Sequence, residues 1–140
     1  MSKIEEFWII NWKGDVLFTY PMPENFDFML YSNFFAAIQM FAKELASEED
    51  SQFVHRFSVG DSNYFFLENF SYELYFVIKF NKNENLKMKD LNKFLQRIES
   101  SFVVKFKDFL DLTITVKKKV HPSIFEPFHD NFEKLLNKYM

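Results

Sequence analysis

The sequence predicts an α+β domain whose β-sheet is covered on both faces, and three observations support this fold class. Apolar residues recur with strand and helix periods in the order β-β-α-β-β-β-α-α. Residues 7–10 and 74–80 are apolar on both strand faces, as expected of central strands buried on both sides. The chain also contains 21 Phe in 140 residues, more bulk than a one-sided sheet could hide. We expect residues 1–140 to form a single domain.

The first two predicted strands form a hairpin. Residues 7–10 form the first strand, and the turn Lys13-Gly14-Asp15 follows, with Gly14 free to take a positive φ. Residues 16–20 form the return strand. Pro21 and Pro23 end it, because proline lacks the N–H that a strand ladder requires.

Residues 28–46 have the period of a helix, with one main apolar stripe. Met29, Ala36 and Met40 form a second apolar strip on another side of this helix. A meander of three strands follows, over residues 52–59, 63–69 and 74–80. Because the last of these strands is apolar on both faces, we expect it beside the first strand in the middle of the sheet.

Two further helices are predicted after the sheet. Residues 86–110 carry a nearly ideal amphipathic stripe, which comprises Leu91, Phe94, Leu95, Ile98, Phe102, Phe106 and Phe109. Leu112, Ile114 and Val116 then alternate, which predicts an extended linker, with a short extra strand within 111–118 as the alternative. Ser123 and Glu126 have the spacing of a capping box before the last helix, which continues to Tyr139.

Charge is distributed unevenly along the chain. Residues 1–78 hold 4 Lys/Arg against 12 Asp/Glu, a net charge of −8, whereas residues 79–119 hold 11 against 5, a net charge of +6. The basic segment predicts either a solvated helix face or a contact with an acidic partner or an anionic membrane. Lys105, Lys107 and the run Lys117, Lys118, Lys119 are the candidate contact residues.

Several functional classes lack the residues that they need. With no Cys and three separated His (His55, His121 and His129), the sequence predicts no metal site, and two Gly cannot build a phosphate-binding loop. No nucleophile motif is present, and the carboxylates Glu5-Glu6 and Glu48-Glu49-Asp50 are interpreted as solvated. A pI of about 5.6 disfavours nucleic acid. We therefore expect no catalysis and no cofactor.

The order of elements over the whole chain resembles the longin domain, a relative of the roadblock and profilin-like folds. The stretch Phe7-Trp-Ile-Ile-Asn-Trp-Lys-Gly-Asp-Val-Leu-Phe18 looks like the opening hairpin of that family, and Gly60-Asp-Ser-Asn-Tyr-Phe-Phe-Leu67 is similar to the crossing from its third to its fourth strand. The Phe/Asn/Lys-rich composition and Ser123-Ile-Phe-Glu-Pro-Phe128 also resemble the small longin and roadblock proteins of Asgard-type archaea.

This resemblance implies a five-stranded antiparallel sheet with one helix on one face and two on the other. It also implies a non-catalytic interaction module in small-GTPase regulation or vesicle-trafficking complexes, whose partner is a small Ras-like GTPase or another longin or roadblock protein. Pairing as a homo- or heterodimer through the third strand and first helix is expected. The residues at these positions are Met29, Ala36, Met40, Phe53, His55 and Phe57.

Two alternative functions stay open, a PAS- or profilin-like sensor of small molecules and a structural subunit of a coat or tether complex. The N-terminal residues lack the pattern of a signal peptide, and no apolar run approaches the length that spans a bilayer. We expect a cytoplasmic protein, with peripheral membrane contact as an added expectation for the basic segment.

Overall fold

The computed structural model of the chain describes residues 4–21, 36, 40, 55–59, 62–81, 86–116 and 121–139, and within the third strand His55, Phe57 and Val59 are described by their backbone alone. The elements, in chain order, are β1 (Glu6–Asn11), β2 (Val16–Tyr20), β3 (His55–Val59), β4 (Ser62–Asn69), β5 (Leu74–Asn81), α1 (Met88–Thr115), a 3₁₀ helix (Pro122–Phe125) and α2 (Phe128–Tyr139).

The described strands form one antiparallel sheet in the order β2-β1-β5-β4-β3. β5 lies in the middle and pairs along its length with β1 on one side and β4 on the other. The predicted position of the last strand beside the first is therefore confirmed. β2 and β3 form the two edges of this sheet.

The predicted fold class is wrong in its helices. The prediction has three α-helices, one on one face of the sheet and two on the other, whereas the described order is β-β-β-β-β-α-3₁₀-α, with two α-helices of known bounds. Both α-helices pack on the same face. The helix predicted over residues 28–46 lies outside the described residues except for Ala36 and Met40, which are both helical.

The face of the sheet that carries α1 and α2 is filled largely by phenylalanine. The Phe102 side chain of α1 is fully buried, and its ring centroid lies 5.0–5.9 Å from those of four other rings: Phe76, Phe106, Phe125 and Phe128. Phe132 of α2 occupies a similar position, 4.6 Å from the Phe7 ring. Edge-to-face and tilted rings of this kind combine area burial with favourable ring electrostatics.

The opposite face of the sheet is also buried. Trp8 and Ile10 of β1, Phe66 of β4 and Val77 of β5 are each at most 2% exposed, and they lie outside the core cluster formed with α1 and α2. Along β1, β4 and β5, the residues that pack against α1 and α2 alternate with the residues of the opposite face, as the period of two in a strand requires. The prediction that the first and last strands are buried on both sides is confirmed by these residues.

The β1–β2 turn is organised by Asn11. Its Oδ1 accepts hydrogen bonds from the backbone N–H groups of Lys13 and Asp15, and its Nδ2 donates to Asp15 Oδ2 at 3.1 Å. Gly14 has a φ of 93°, the left-handed value that the sequence predicts. The Asn11 side chain therefore provides the hydrogen-bond acceptor for backbone N–H groups that a tight turn leaves without a backbone partner.

Replacing Asn11 with alanine should lower the free energy of unfolding by about 1–2 kcal/mol, because two backbone donors and one side-chain acceptor lose their partner. Chemical denaturation measures this change. The control is Asn137→Ala on an exposed position of α2, which should change stability by less than about 0.5 kcal/mol. Equal effects of the two substitutions would contradict the role given to Asn11.

The end of α1 and the start of α2 differ from the predictions. Residues 111–115 continue α1, so neither the extended linker nor the extra strand is present there. Ser123 and Glu126 do not form a capping box, because α2 begins only at Phe128. His121 caps the 3₁₀ helix instead, with its Nδ1 accepting from the Ser123 N–H at 3.1 Å.

Candidate interaction surface

The third strand lies at an edge of the described sheet. Its backbone pairs antiparallel with β4, in a register that sets His55 opposite Phe66 and Phe57 opposite Tyr64. Two of the predicted interface residues thus lie two positions apart on one edge strand, whereas Phe53 lies outside the described residues. An edge strand offers backbone N–H and C=O groups that can pair with a further strand.

Ala36 and Met40 are helical and exposed, and 69% of the Met40 side-chain and backbone surface is accessible. Residues four positions apart lie one above the other on the same side of a helix. Two members of the predicted second strip are thus helical and exposed. Met29, the third member, lies outside the described residues.

The predicted basic contact residues do not all share one side of α1. Lys105 and Lys107 are both exposed, but residues two apart project in directions about 200° apart around a helix. Lys105 Nζ lies 6.0 Å from the centroid of the Phe106 ring, within the range of a cation–π contact. Lys117, Lys118 and Lys119 lie outside the described residues.

Three apolar side chains near the end of α1 are exposed, and the sequence did not predict this. Phe109, Leu112 and Val116 are 41%, 46% and 61% exposed. The predicted buried stripe includes Phe109, but the structure buries Leu110 in its place. The cause is Phe106, whose φ of −115° and ψ of 21° interrupt the helical backbone and rotate the residues that follow.

Two carboxylates lie on the sheet face opposite α1 and α2, at its two ends. Burial raises the pKa of Glu68 above its ordinary value, and hydrogen bonds with Tyr75 and Trp12 offset only part of that rise. Burial also raises the pKa of Glu6, against the effect of the Lys79 ammonium.

The distance between these two carboxylates bears on acid–base chemistry. Glu6 is opposite Lys79 and Glu68 is opposite Tyr75, so the partners lie four residues, or roughly 13 Å, apart along β5. A pair of carboxyl groups that shares one substrate atom lies much closer than this. The two glutamates therefore do not form a catalytic pair.

His129, Asp130 and Glu133 form a small cluster at the start of α2. Their potential ligand atoms lie within 4.8 Å of one another, and His129 Nδ1 is 3.7 Å from Glu133 Oε1. The Tyr20 ring packs against the His129 ring at 5.1 Å, and burial, followed by the Glu133 charge, raises the pKa of Tyr20. This arrangement is explained by an i, i+4 pair on a helix surface. His121, eight residues earlier, takes no part in it, since its ring caps the 3₁₀ helix.

None of the helices in the described ranges combines the length and the apolar character needed to cross a membrane. No protein-family model matches the sequence, and no curated protein matches it either.

Proposed function

We propose that this chain is a non-catalytic, longin-like interaction module that pairs with a second protein chain. The pairing surface consists of β3 and of the helical residues Ala36 and Met40, which precede β3 in the sequence. The partner is a second copy or another longin or roadblock protein. The wider setting, regulation of a small Ras-like GTPase or a trafficking complex, follows from the resemblance. The observation that carries the proposal is the edge position of β3 in the described sheet.

An edge strand supports pairing because its outer backbone groups can extend the sheet into a partner. β3 is five residues long, enough for several hydrogen bonds across a two-fold axis. Arg56 of β3 is exposed, and its guanidinium lies 5.8 Å from the centroid of the Phe65 ring of β4.

Met40 supplies the apolar part of the proposed interface. A methionine that is 69% exposed gains from burial against a partner, and its flexible side chain adapts to that partner's shape. Ala36, one turn earlier, is small enough to allow close approach of the partner's backbone. The proposed interface therefore combines backbone pairing at β3 with side-chain packing at Met40.

Met40→Glu should raise the dissociation constant of the dimer at least about tenfold, because a charge would be buried without a partner. Light scattering across a concentration series measures this. Val104→Glu is the matched control, since Val104 is 79% exposed and lies on α1, and it should leave the dimer unchanged.

Two outcomes would count against the pairing surface. One is a wild-type chain that stays monomeric at every concentration and shows no binding to a longin or roadblock partner. The other is an equal loss of pairing in Met40→Glu and Val104→Glu, since that would indicate a general effect of added charge. Thermal unfolding of both variants shows whether they remain folded during the comparison.

A further inference from the structure

We propose that the outer side of α1, in its first three turns, is a docking site for an acidic helix of a partner protein. Lys89, Lys93 and Arg97, which we call the basic stripe, are all exposed. They recur every four residues, so each cation lies about 6 Å further along the helix than the one before. The proposal does not depend on the pairing surface.

The basic stripe faces away from the protein core. Lys93 lies two residues from Leu91 and from Leu95, which are both fully buried, and residues two apart project to nearly opposite sides of a helix. The backbone of α1 is helical from Met88 to the interruption at Phe106, which comes after the stripe. The three cations therefore share one continuous helix side that is open to solvent.

The charges of the basic stripe are not balanced within the described part of the chain. No ion pair or side-chain hydrogen bond of the described residues involves any of the three cations. Residues 87–105 hold five Lys/Arg against two acids, Asp90 and Glu99, a net charge of +3. Glu99 is partly buried and accepts a hydrogen bond from Asn69, which leaves Asp90 as the exposed acid of this stretch.

A merely solvated helix side is stabilised when charges of opposite sign alternate at four-residue spacing, whereas the basic stripe repeats one sign. Lys89 and Lys93, and likewise Lys93 and Arg97, are like-charged pairs at this spacing, and such pairs destabilise a helix. Lys89 also lies in the first turn of α1, where the helix dipole disfavours a cation. Carboxylates of a partner relieve both effects, so binding removes a repulsion that the free protein keeps.

An acidic helix matches the repeat of the basic stripe. A helix with Glu or Asp at every fourth residue has the same rise between its charges, so it can set one carboxylate against each cation.

An anionic membrane is a weaker match for the basic stripe. Each cation near such a surface favours binding by about fivefold, so three give roughly a hundredfold, and stable attachment takes a second signal such as apolar insertion. Gln96 and Ser100, the exposed neighbours of the stripe on the same helix side, are polar and supply no such insertion. The observations therefore favour a protein partner.

An NMR titration of the isotope-labelled chain at low ionic strength tests the basic stripe. The probe is an alanine-based helical peptide with three Glu at four-residue spacing, and the matched peptide carries Gln at these positions. The Glu peptide should shift the amide signals of residues 88–98 and should bind at least about tenfold more tightly than the Gln peptide. Its affinity should fall as salt is added. The same peptide with its three Glu in consecutive positions should bind about threefold more weakly.

Lys93→Glu should raise the dissociation constant of the Glu peptide at least about fivefold, because it replaces an attraction with a repulsion at the centre of the stripe. The same substitution should raise the Tm by about 2–4 °C, since two like-charged pairs become opposite pairs. Weaker binding by a more stable protein excludes loss of the fold as its cause. Arg97→Gln, which only removes a charge, should raise the dissociation constant about threefold.

Lys13→Glu is the matched control, because it makes the same change in charge at another exposed lysine. Lys13 lies in the β1–β2 turn, beside the start of β5, whereas α1 follows the end of β5. This variant should keep the affinity for the Glu peptide to within about twofold.

Several results would overturn the proposal: no binding of the Glu peptide, equal binding of the Glu and Gln peptides, or an equal loss of affinity in Lys93→Glu and Lys13→Glu. Tighter binding of the wild type to phosphatidylserine vesicles or to a single-stranded DNA oligonucleotide than to the Glu peptide would also overturn it, because the stripe would then serve another anion. A loss of dimers by Lys93→Glu in light scattering would do so as well, since the occupant would then be a second copy.

Failure of the basic stripe and failure of the pairing surface can be told apart. Met40→Glu should bind the Glu peptide like the wild type even when it is monomeric, since its substitution lies outside α1. A wild-type monomer that binds the peptide would contradict the pairing proposal alone, and a dimer that ignores the peptide would contradict the docking proposal alone.

Discussion

Replacing Phe102 with alanine should lower the free energy of unfolding by about 4 kcal/mol, the largest effect that we expect of a single substitution in the described core. The Phe102 side chain is fully buried and contacts the rings of Phe76, Phe106, Phe125 and Phe128. These rings come from β5, α1, the 3₁₀ helix and α2. Removal of the Phe102 ring leaves a cavity where these four elements meet, and the sheet is too rigid to fill that cavity.

Chemical denaturation followed by tryptophan fluorescence measures this change. Phe109→Ala is the matched control on the same helix, because Phe109 is 41% exposed, and it should cost less than about 1 kcal/mol. A larger loss in the free energy of unfolding for Phe109→Ala than for Phe102→Ala would mean that the buried helical stripe continues unbroken past Phe106. The comparison thus tests both the core position of Phe102 and the rotation at Phe106.

Replacing Asn69 with alanine should cost about 2 kcal/mol at pH 8 and about 1 kcal/mol at pH 4. The Asn69 amide has two partners: its Oδ1 accepts from the Tyr72 N–H at 2.8 Å, and its Nδ2 donates to Glu99 Oε2 at 3.1 Å. The first bond holds the β4–β5 turn, where Glu73 has a positive φ of 57°. The second connects this turn to α1.

The pH dependence follows from Glu99. Burial raises the pKa of Glu99 above 4.5, and the hydrogen bond from Asn69 lowers it in part. Because the folded state holds this proton more tightly than the unfolded state, Glu99 reduces stability as the pH rises from about 4.5 through the folded pKa. Without Asn69 the folded pKa rises further, so the substitution costs more when Glu99 is charged.

Denaturation at the two pH values measures the difference. Asn92→Ala is the control, because Asn92 on α1 accepts only an exposed hydrogen bond from Gln96 among the described contacts, and its cost should be below about 0.5 kcal/mol at both pH values. A cost of Asn69→Ala that does not vary with pH would show that Glu99 gains little from the amide.

The sheet was more predictable from the sequence than the helices were. Residues 7–10 and 74–80 are apolar on both faces, and this pattern places β1 and β5 side by side, because only central strands bury both faces. The turn at Gly14 was predictable for a similar reason, since few residues other than Gly adopt its φ. In contrast, the role of Asn11 depends on three hydrogen bonds that no sequence pattern indicates.

The candidate sites were less predictable. The spacing of Ala36 and Met40 indicated a shared helix side, and both residues are exposed, but their role in pairing stays a prediction. The exposure of Phe109 near the end of α1 could not be found by periodicity, because a straight helix would bury Phe109 beside Phe102 and Phe106. Local backbone geometry at one residue changes which side chains face the core, and hydrophobic pattern alone carries no information on such a change.

The interruption at Phe106 also divides α1 into two parts that can vary separately. The apolar side chains before it pack on the sheet and are buried, so truncating one of them carries the full cost of a core cavity. Residues after it keep Leu110 in the core and leave Phe109, Leu112 and Val116 outside. Substitutions at Phe109, Leu112 and Val116 should therefore leave the free energy of unfolding nearly unchanged, so the sequence of this short segment can vary without loss of the fold.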